Sequence, residues 1–240
     1  MKSIHNLSSN LQSRRSKVEI VLCHVHLRNQ KFSTIYHLTE KGIDETFIPR
    51  MTFSRTFNYL WNNYAPFNGF MYSGHSNGQE MRFVTKKTSH RVATLPELKR
   101  KFEKHNARLD VICFDSCFMS NVEVMNSISP YCKYILTSPG FHPNFSYLLT
   151  KSFYSFSSHK IHTYLASIQR EFMKLYENAH AKYVCAVLFA SKKAKQFYKY
   201  MDHLEETDQL HFSKRAFESG ELLTHILDDS DLPKKKKIKE

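Results

Sequence analysis

Apolar and polar positions along this chain follow two different periods, and each switch between them marks an element. Val18 to Val25 (VEIVLCHV) is a β-rich run, and Phe32 to Leu38 alternates apolar and polar residues as a half-buried strand does. Phe53, Phe57, Leu60, Trp61 and Tyr64 then fall at helical spacing. Asn68 to Gly74 reads as a strand that ends in a glycine turn, with His75-Ser76-Asn77-Gly78 directly after it and a short strand expected over Met81 to Thr85. Thr94-Leu95-Pro96-Glu97 is a capping-box pattern with proline in the first turn, opening a basic helix to about His105. Leu109 to Phe114 (LDVICF) is almost continuously apolar, the signature of a strand covered on both faces.

Ser120-Asn121-Val122-Glu123 has the pattern of a second capping box, with its helix stopping near Pro130, and Lys133 to Thr137 is the next strand. Ser138 to Tyr147 is a loop rich in proline, glycine and aromatics. Ile161, Tyr164, Leu165, Ile168, Phe172 and Leu175 form one apolar stripe of a long helix. Tyr183 to Phe189 reads as a further buried strand, and Ala194, Phe197, Tyr198, Met201 and Leu204 as another amphipathic helix. Strands alternating with helices predict an α/β fold, a mostly parallel sheet with helices on both faces. Residues 1–17 read as a polar, disordered lead-in, 18–206 as one domain, and 207–240 as an extension with a basic tail.

Composition refines this picture in three respects. Hydrophobic residues make up 41% of the 240, enough to bury a substantial core in a single domain. The formal net charge of +13 attracts anionic partners, and a solvated positive face with weak nucleic-acid contact accounts for it without a dedicated site. Five cysteines, an odd number with no C-x-x-C pair, lie largely in apolar stretches, which points to reduced thiols in an intracellular compartment. Met1 to Arg15 has no apolar leader region, and no run approaches the roughly 20 apolar residues of a membrane span.

Chemistry is expected where an open parallel sheet binds ligands, beyond the carboxyl ends of its strands. One such end, Phe70 to Gly74, delivers His75. Another, Val111 to Asp115, delivers Cys117 just before the expected Ser120 cap. If the two strands are neighbours, imidazole and thiol project into one crevice. A helix N-terminus and a nearby imidazole both favour thiolate, and backbone N–H groups at the turn suit an oxyanion. Extended alternation would set Asp115 on the same side as Cys117.

The segment Leu109 to Ser138 resembles the nucleophile region of the clostripain family of cysteine peptidases. The motif stands as Phe114-Asp115-Ser116-Cys117-Phe118-Met119, with Glu123 in the following helix and Thr137-Ser138 at the next strand end. Gly74-His75 falls where that family carries its histidine, and the likeness extends more loosely over Val18 to Tyr200. The resemblance implies a caspase-like fold over 18–206 and a cysteine endopeptidase with a His75/Cys117 dyad; some relatives depend on calcium, but the sequence shows no ligand cluster for it, and no cofactor or metal is expected. It implies peptide or protein substrates, a pocket shaped by Asp115, Ser76, Gly74 and Ser138, and a preference for cleavage after Arg or Lys. The sequence departs from the family in two places. Ser76 stands where relatives carry glycine, and its side chain is expected to crowd the approach. The loop Pro139 to Asn144 lacks a second acid.

Two other readings stay open at this stage. The same fold without catalysis would be a basic binding module for nucleic acid or protein, with the lysine run Lys234 to Lys239 suiting nuclear import. His24 and His26, two apart on a strand beside Cys23, suggest a metal site, but no partner pair has ligand spacing.

Overall fold

The computed structural model describes residues 2–13, 18–25, 32–49, 51–84, 89–139, 161–177 and 187–192. A helix α1 (Lys2–Ser13) is followed by three strands, β1 (Ile20–Val25), β2 (Phe32–Thr39) and β3 (Gly42–Pro49), which form an antiparallel sheet in that order. The lead-in expected to be disordered is therefore a helix over most of its length. Among its described side chains Leu11 is an anchor, buried with Tyr36 and Leu38 against β2, with Val18, Ile20, Leu22 and Ile43 packed around them. Gln12 adds a hydrogen bond from Nε2 to the Lys41 carbonyl at the β2–β3 turn.

Helix α2 (Phe53–Tyr64) takes the span expected from its aromatic spacing, with Thr52 as N-cap accepting from the Arg55 N–H. Strand β4 (Gly69–Ser73) leads into three short strands, β5 (His75–Ser76), β6 (Glu80–Val84) and β7 (Ser89–Thr94), which form their own antiparallel sheet. Helix α3 (Leu95–Lys104) opens on the full capping box: Thr94 Oγ1 accepts from the Glu97 N–H while the Glu97 carboxylate accepts from the Thr94 N–H. Then come β8 (Leu109–Asp115), α4 (Val122–Ile128), a 3₁₀ turn at Ser129–Tyr131, β9 (Cys132–Thr137), α5 (Ile161–Glu177) and β10 (Val187–Ala190).

The central sheet runs β10-β9-β8-β4. Its pairs β4/β8 and β8/β9 are parallel, while β10 runs antiparallel to β9, a reversal at one edge that the apolar run Tyr183 to Phe189 did not reveal. Period-two alternation along these strands feeds two cores. On one face Phe70, Ile112, Phe114 and Ile135 meet α2, α3 and α4 through Phe57, Leu98, Phe102, Val124, Met125 and Ile128. On the other, Met71, Val111, Cys113 and Leu136 meet Ile161, Tyr164, Leu165 and Ile168 of α5. Helices thus cover both faces, which explains why β8 reads as continuously apolar.

Phe102, fully buried, is the hub of the first core. Its ring meets Phe70 edge-on at 5.4 Å and Phe57 at 5.7 Å, and lies 5.6 Å from Tyr131. Among the described residues no helix is long and apolar enough to cross a membrane. The expected helix Ala194 to Leu204, the extension 207–240 with its lysine tail, His26 and Cys185 lie outside the described residues.

Two outcomes follow from this packing. Phe102→Ala should cost about 3–5 kcal/mol and Thr94→Ala about 1 kcal/mol, measured by urea unfolding. His105 stacks on Trp61 at 5.3 Å and shares Asn58 Oδ1 with Lys101. Burial, then Lys104 and Lys101, lower its pKa from 6.5. The folded state therefore holds that proton less tightly than the unfolded chain. The stability concerned is present above the unfolded value and lost as pH falls through the folded one. The acid loss in a pH series of unfolding free energies should be smaller in His105→Gln.

Candidate active site

Parallel pairing of β4 with β8 sets Ser73 opposite Asp115, the last residue of each strand. His75 and Cys117 are each two residues further on. At the strand ends Ser73 Oγ donates to Asp115 Oδ2 at 2.7 Å, and the Gly74 N–H donates to the Asp115 carbonyl at 3.2 Å. The β8/β9 register, continued from Cys113↔Leu136 by two residues, brings Ser138 level with Asp115 on the other side. Asp115 and Ser138 are both buried, Asp115 to 3% exposure.

Beyond Ser73 the chain turns at Gly74 into the hairpin. No side chain fits at this turn: a Cβ at Gly74 would lie 2.5 Å from the Tyr72 hydroxyl oxygen. That hydroxyl sits 2.9 Å from the His75 carbonyl and 3.1 Å from the Arg82 carbonyl, across the β5/β6 pair, and supplies its one proton to them. Burial pushes the Tyr72 phenol pKa up, so the group stays a donor. The His75 backbone is held from beneath, and its imidazole is exposed to solvent.

Cys117 is half-buried in the turn after β8, and Phe118 beside it adopts φ +59°. The Ser76 hydroxyl donates to the Cys117 carbonyl, a direct link between the histidine hairpin and the cysteine turn. The Asn121 amide donates to the Gly78 carbonyl at 3.0 Å and the Phe118 carbonyl at 3.1 Å, while its Oδ1 caps α4 by accepting from the Val124 N–H.

Two local expectations need correction. The N-cap of α4 is Asn121, with Ser120 buried one residue earlier. Cys117 therefore lies four residues before the N-cap, in the turn that precedes the helix and not at its first position. The chain also leaves extended geometry at Ser116, so strand alternation does not carry from Asp115 to Cys117. Asp115 instead follows Cys113 onto the α5 side of the sheet. Of the sequence-derived residues, the structure links Gly74 to Asp115 and Ser76 to Cys117. Ser73, Tyr72, Gly78 and Asn121 were missed, although asparagine at a cap and glycine in an Asn-Gly turn are recognisable signals.

The family model for the clostripain family matches residues 68–216, more than half of the chain. The chain belongs to the clostripain family. Among solved structures it is similar to a secreted C11 cysteine protease from Bacteroides thetaiotaomicron bound to an irreversible peptide inhibitor. That match has a TM-score of 0.61 at 14% identity, covering 83% of this chain and 64% of the other. It is also similar to an inactive zymogen C11 protease from Parabacteroides distasonis, with a TM-score of 0.59 at 12% identity and 83% and 59% coverage. At such identities the likeness carries the fold, and this clostripain-family chain spans less than two thirds of either structure. No curated protein matches it in sequence.

Burial separates the thiols of this clostripain-family chain. It raises Cys23 to about 11, and it raises Cys113 well above its ordinary value, with the Asp115 charge adding to the effect. Iodoacetamide near neutral pH should therefore alkylate Cys117 ahead of both, as read by peptide mass mapping. Cys23 labelling should climb only as pH nears 11, and Cys113 should stay unlabelled until the protein unfolds.

Proposed function

We propose that this clostripain-family chain is a cysteine endopeptidase with Cys117 as nucleophile and His75 as its acid–base partner. The observation that carries the reading is the bond from Ser76 to the Cys117 carbonyl, which joins the exposed histidine's hairpin to the half-buried cysteine's turn at the carboxyl edge of the parallel strands. In the proposed reaction the Cys117 sulfur attacks the scissile carbonyl carbon as its proton passes to His75. The carbonyl π electrons move onto oxygen, where the backbone N–H groups of Cys117 and Ser76 would stabilise the charge. The intermediate then collapses to a thioester while the leaving amine takes the proton from His75. Water, deprotonated by His75, hydrolyses the thioester and restores the thiol.

The substrate pocket in this reading is bounded by Gly74, Ser76, Asp115 and Ser138. Asp115 is its acidic element and favours Arg or Lys before the cleaved bond. Its carboxylate is engaged by Ser73 and almost fully buried, so a basic side chain would displace or share the Ser73 hydrogen bond rather than meet a solvated acid. A cation brought against a carboxylate shielded from water is attracted more strongly than one meeting a solvated acid, which would make recognition of the substrate cation selective.

The test is turnover of fluorogenic peptides with varied residues before the scissile bond. Cys117→Ala should fall to background, and His75→Ala should lower kcat by roughly 10²–10⁴-fold. Asp115→Asn should erase a preference for Arg and Lys while leaving the thiol alkylatable. Turnover indifferent to Cys117→Ala would end the proposal.

A further inference from the structure

Asn121 stands outside the residues assigned to the proposed chemistry, yet its side chain spans three elements at once. Its two amide hydrogens go to the Gly78 carbonyl in the histidine hairpin and the Phe118 carbonyl in the cysteine turn. Its oxygen takes the Val124 N–H and caps α4. Each hydrogen-bonding group of the side chain is thus in use. The hairpin and the turn approach so closely here that a Cβ on Gly78, which has φ +92°, would lie 2.6 Å from the Asn121 amide nitrogen and 3.0 Å from the Phe118 carbonyl.

The two carbonyls flanking the nucleophile's turn are both restrained. The Ser76 hydroxyl donates to the Cys117 carbonyl, and the Asn121 amide donates to the Phe118 carbonyl. Between them Phe118 carries φ +59°, a left-handed conformation unfavourable to a residue with a side chain and sustained only where surrounding contacts over-determine it. Its ring is partly exposed, so a buried anchor is not what holds it. The hydrogen bonds to the neighbouring peptides are among its restraints.

We propose that Asn121, acting with Ser76, is a positioning residue that clamps the Cys117 turn to the His75 hairpin and so sets the thiol–imidazole geometry. The inference rests on the peptidase reading above. Orientation terms of this kind are large: a misplacement of about 1 Å can cost roughly 10²-fold in rate.

Helix capping and clamping can be separated by substitution. Asn121→Ser keeps a good N-cap but removes both amide donors. It should keep the wild-type Tm and KM while lowering kcat at least about tenfold, within the range such misplacement allows. Asn121→Asp also keeps the cap but turns a carboxylate toward two carbonyls, and should lower kcat further. Ser76→Ala should lower kcat too, and Ser76→Thr, which restores the hydroxyl, should recover most of the loss. Wild-type kcat in a folded Asn121→Ser protein would overturn the clamp, as would a fall in kcat that merely tracks a fall in Tm. If Asn121→Asp does not fold, Asn121→Ser and the Ser76 pair decide. Absence of Cys117-dependent turnover in the wild type would instead sink the peptidase reading itself, so the two failures are distinguishable.

Discussion

The constraint on which this structure turns is the in-register parallel pairing of β4 with β8. Because Ser73 lies opposite Asp115, the residues two places beyond each strand end leave the sheet at the same level, and those residues are His75 and Cys117. A slip of one residue would exchange the faces of every side chain on β4, sending Phe70 and Tyr72 toward α5 and Met71 toward Phe57 and Phe102. The separate packing of the two cores therefore enforces the register, with Phe102 and its aromatic neighbours on one side and Leu165 and Ile168 on the other. The bond from Ser73 to Asp115 closes the register at the carboxyl end of the two strands. Burial of apolar surface in the middle of the sheet thus determines which polar groups meet at its edge.

A parallel pair alone delivers two chain ends but does not hold them together. That task falls to the small β5–β6–β7 sheet, which carries His75 and folds back toward the cysteine turn. Its attachment is apolar through Met81 and Ala93, which are buried in the first core, and polar and close-fitting at the end that carries His75. Tyr72 supports it through the His75 and Arg82 carbonyls, and Asn121 and Ser76 join it to the cysteine turn. Both close approaches need glycine for a stated reason. A side chain at 74 would strike the Tyr72 hydroxyl, and one at 78 would strike the Asn121 amide. A buried hydroxyl donating to backbone carbonyls is directional in a way that an aliphatic contact is not.

Long-period signals in the sequence carried well into the structure, and single-residue geometry carried poorly. The aromatic spacing from Phe53 to Tyr64, the unbroken apolar run of β8 and the stripe of α5 are each sums over many positions, so tertiary contacts reinforced them. Helix α1 was obscured by its polarity, although Ile4, Leu7 and Leu11 lie at helical spacing, and the burial of Leu11 supplies the stabilisation that propensity does not. Strand β3, with Asp44, Glu45 and Thr46 in its middle, lacks apolar alternation because its stability comes from pairing along the whole of β2. At α4 the two candidate caps Ser120 and Asn121 are adjacent, and sequence preference barely distinguishes them. The hairpin decides: Asn121 can cap the helix and reach Gly78 at the same time.

Ser76 shows how a departure from a family pattern changes meaning once geometry is known. A side chain after the histidine, where relatives carry glycine, reads as an obstruction to the substrate's approach. Here the hydroxyl is turned to the Cys117 carbonyl, so the added atoms fill a bonding role at the junction of the two turns. A glycine at that position would leave this carbonyl to another donor. The burial of Asp115 supports the same view of the site, since its carboxylate is tied to Ser73 rather than presented to water. Several polar groups at this sheet edge, Ser73 with Asp115 and Ser76 with the Cys117 carbonyl, are paired before any substrate arrives, although the buried Ser116 and Thr137 hydroxyls have no partner among the described residues. Such prior satisfaction lowers the reorganisation that transition-state stabilisation would otherwise require, the property expected of a site whose chemistry depends on orientation.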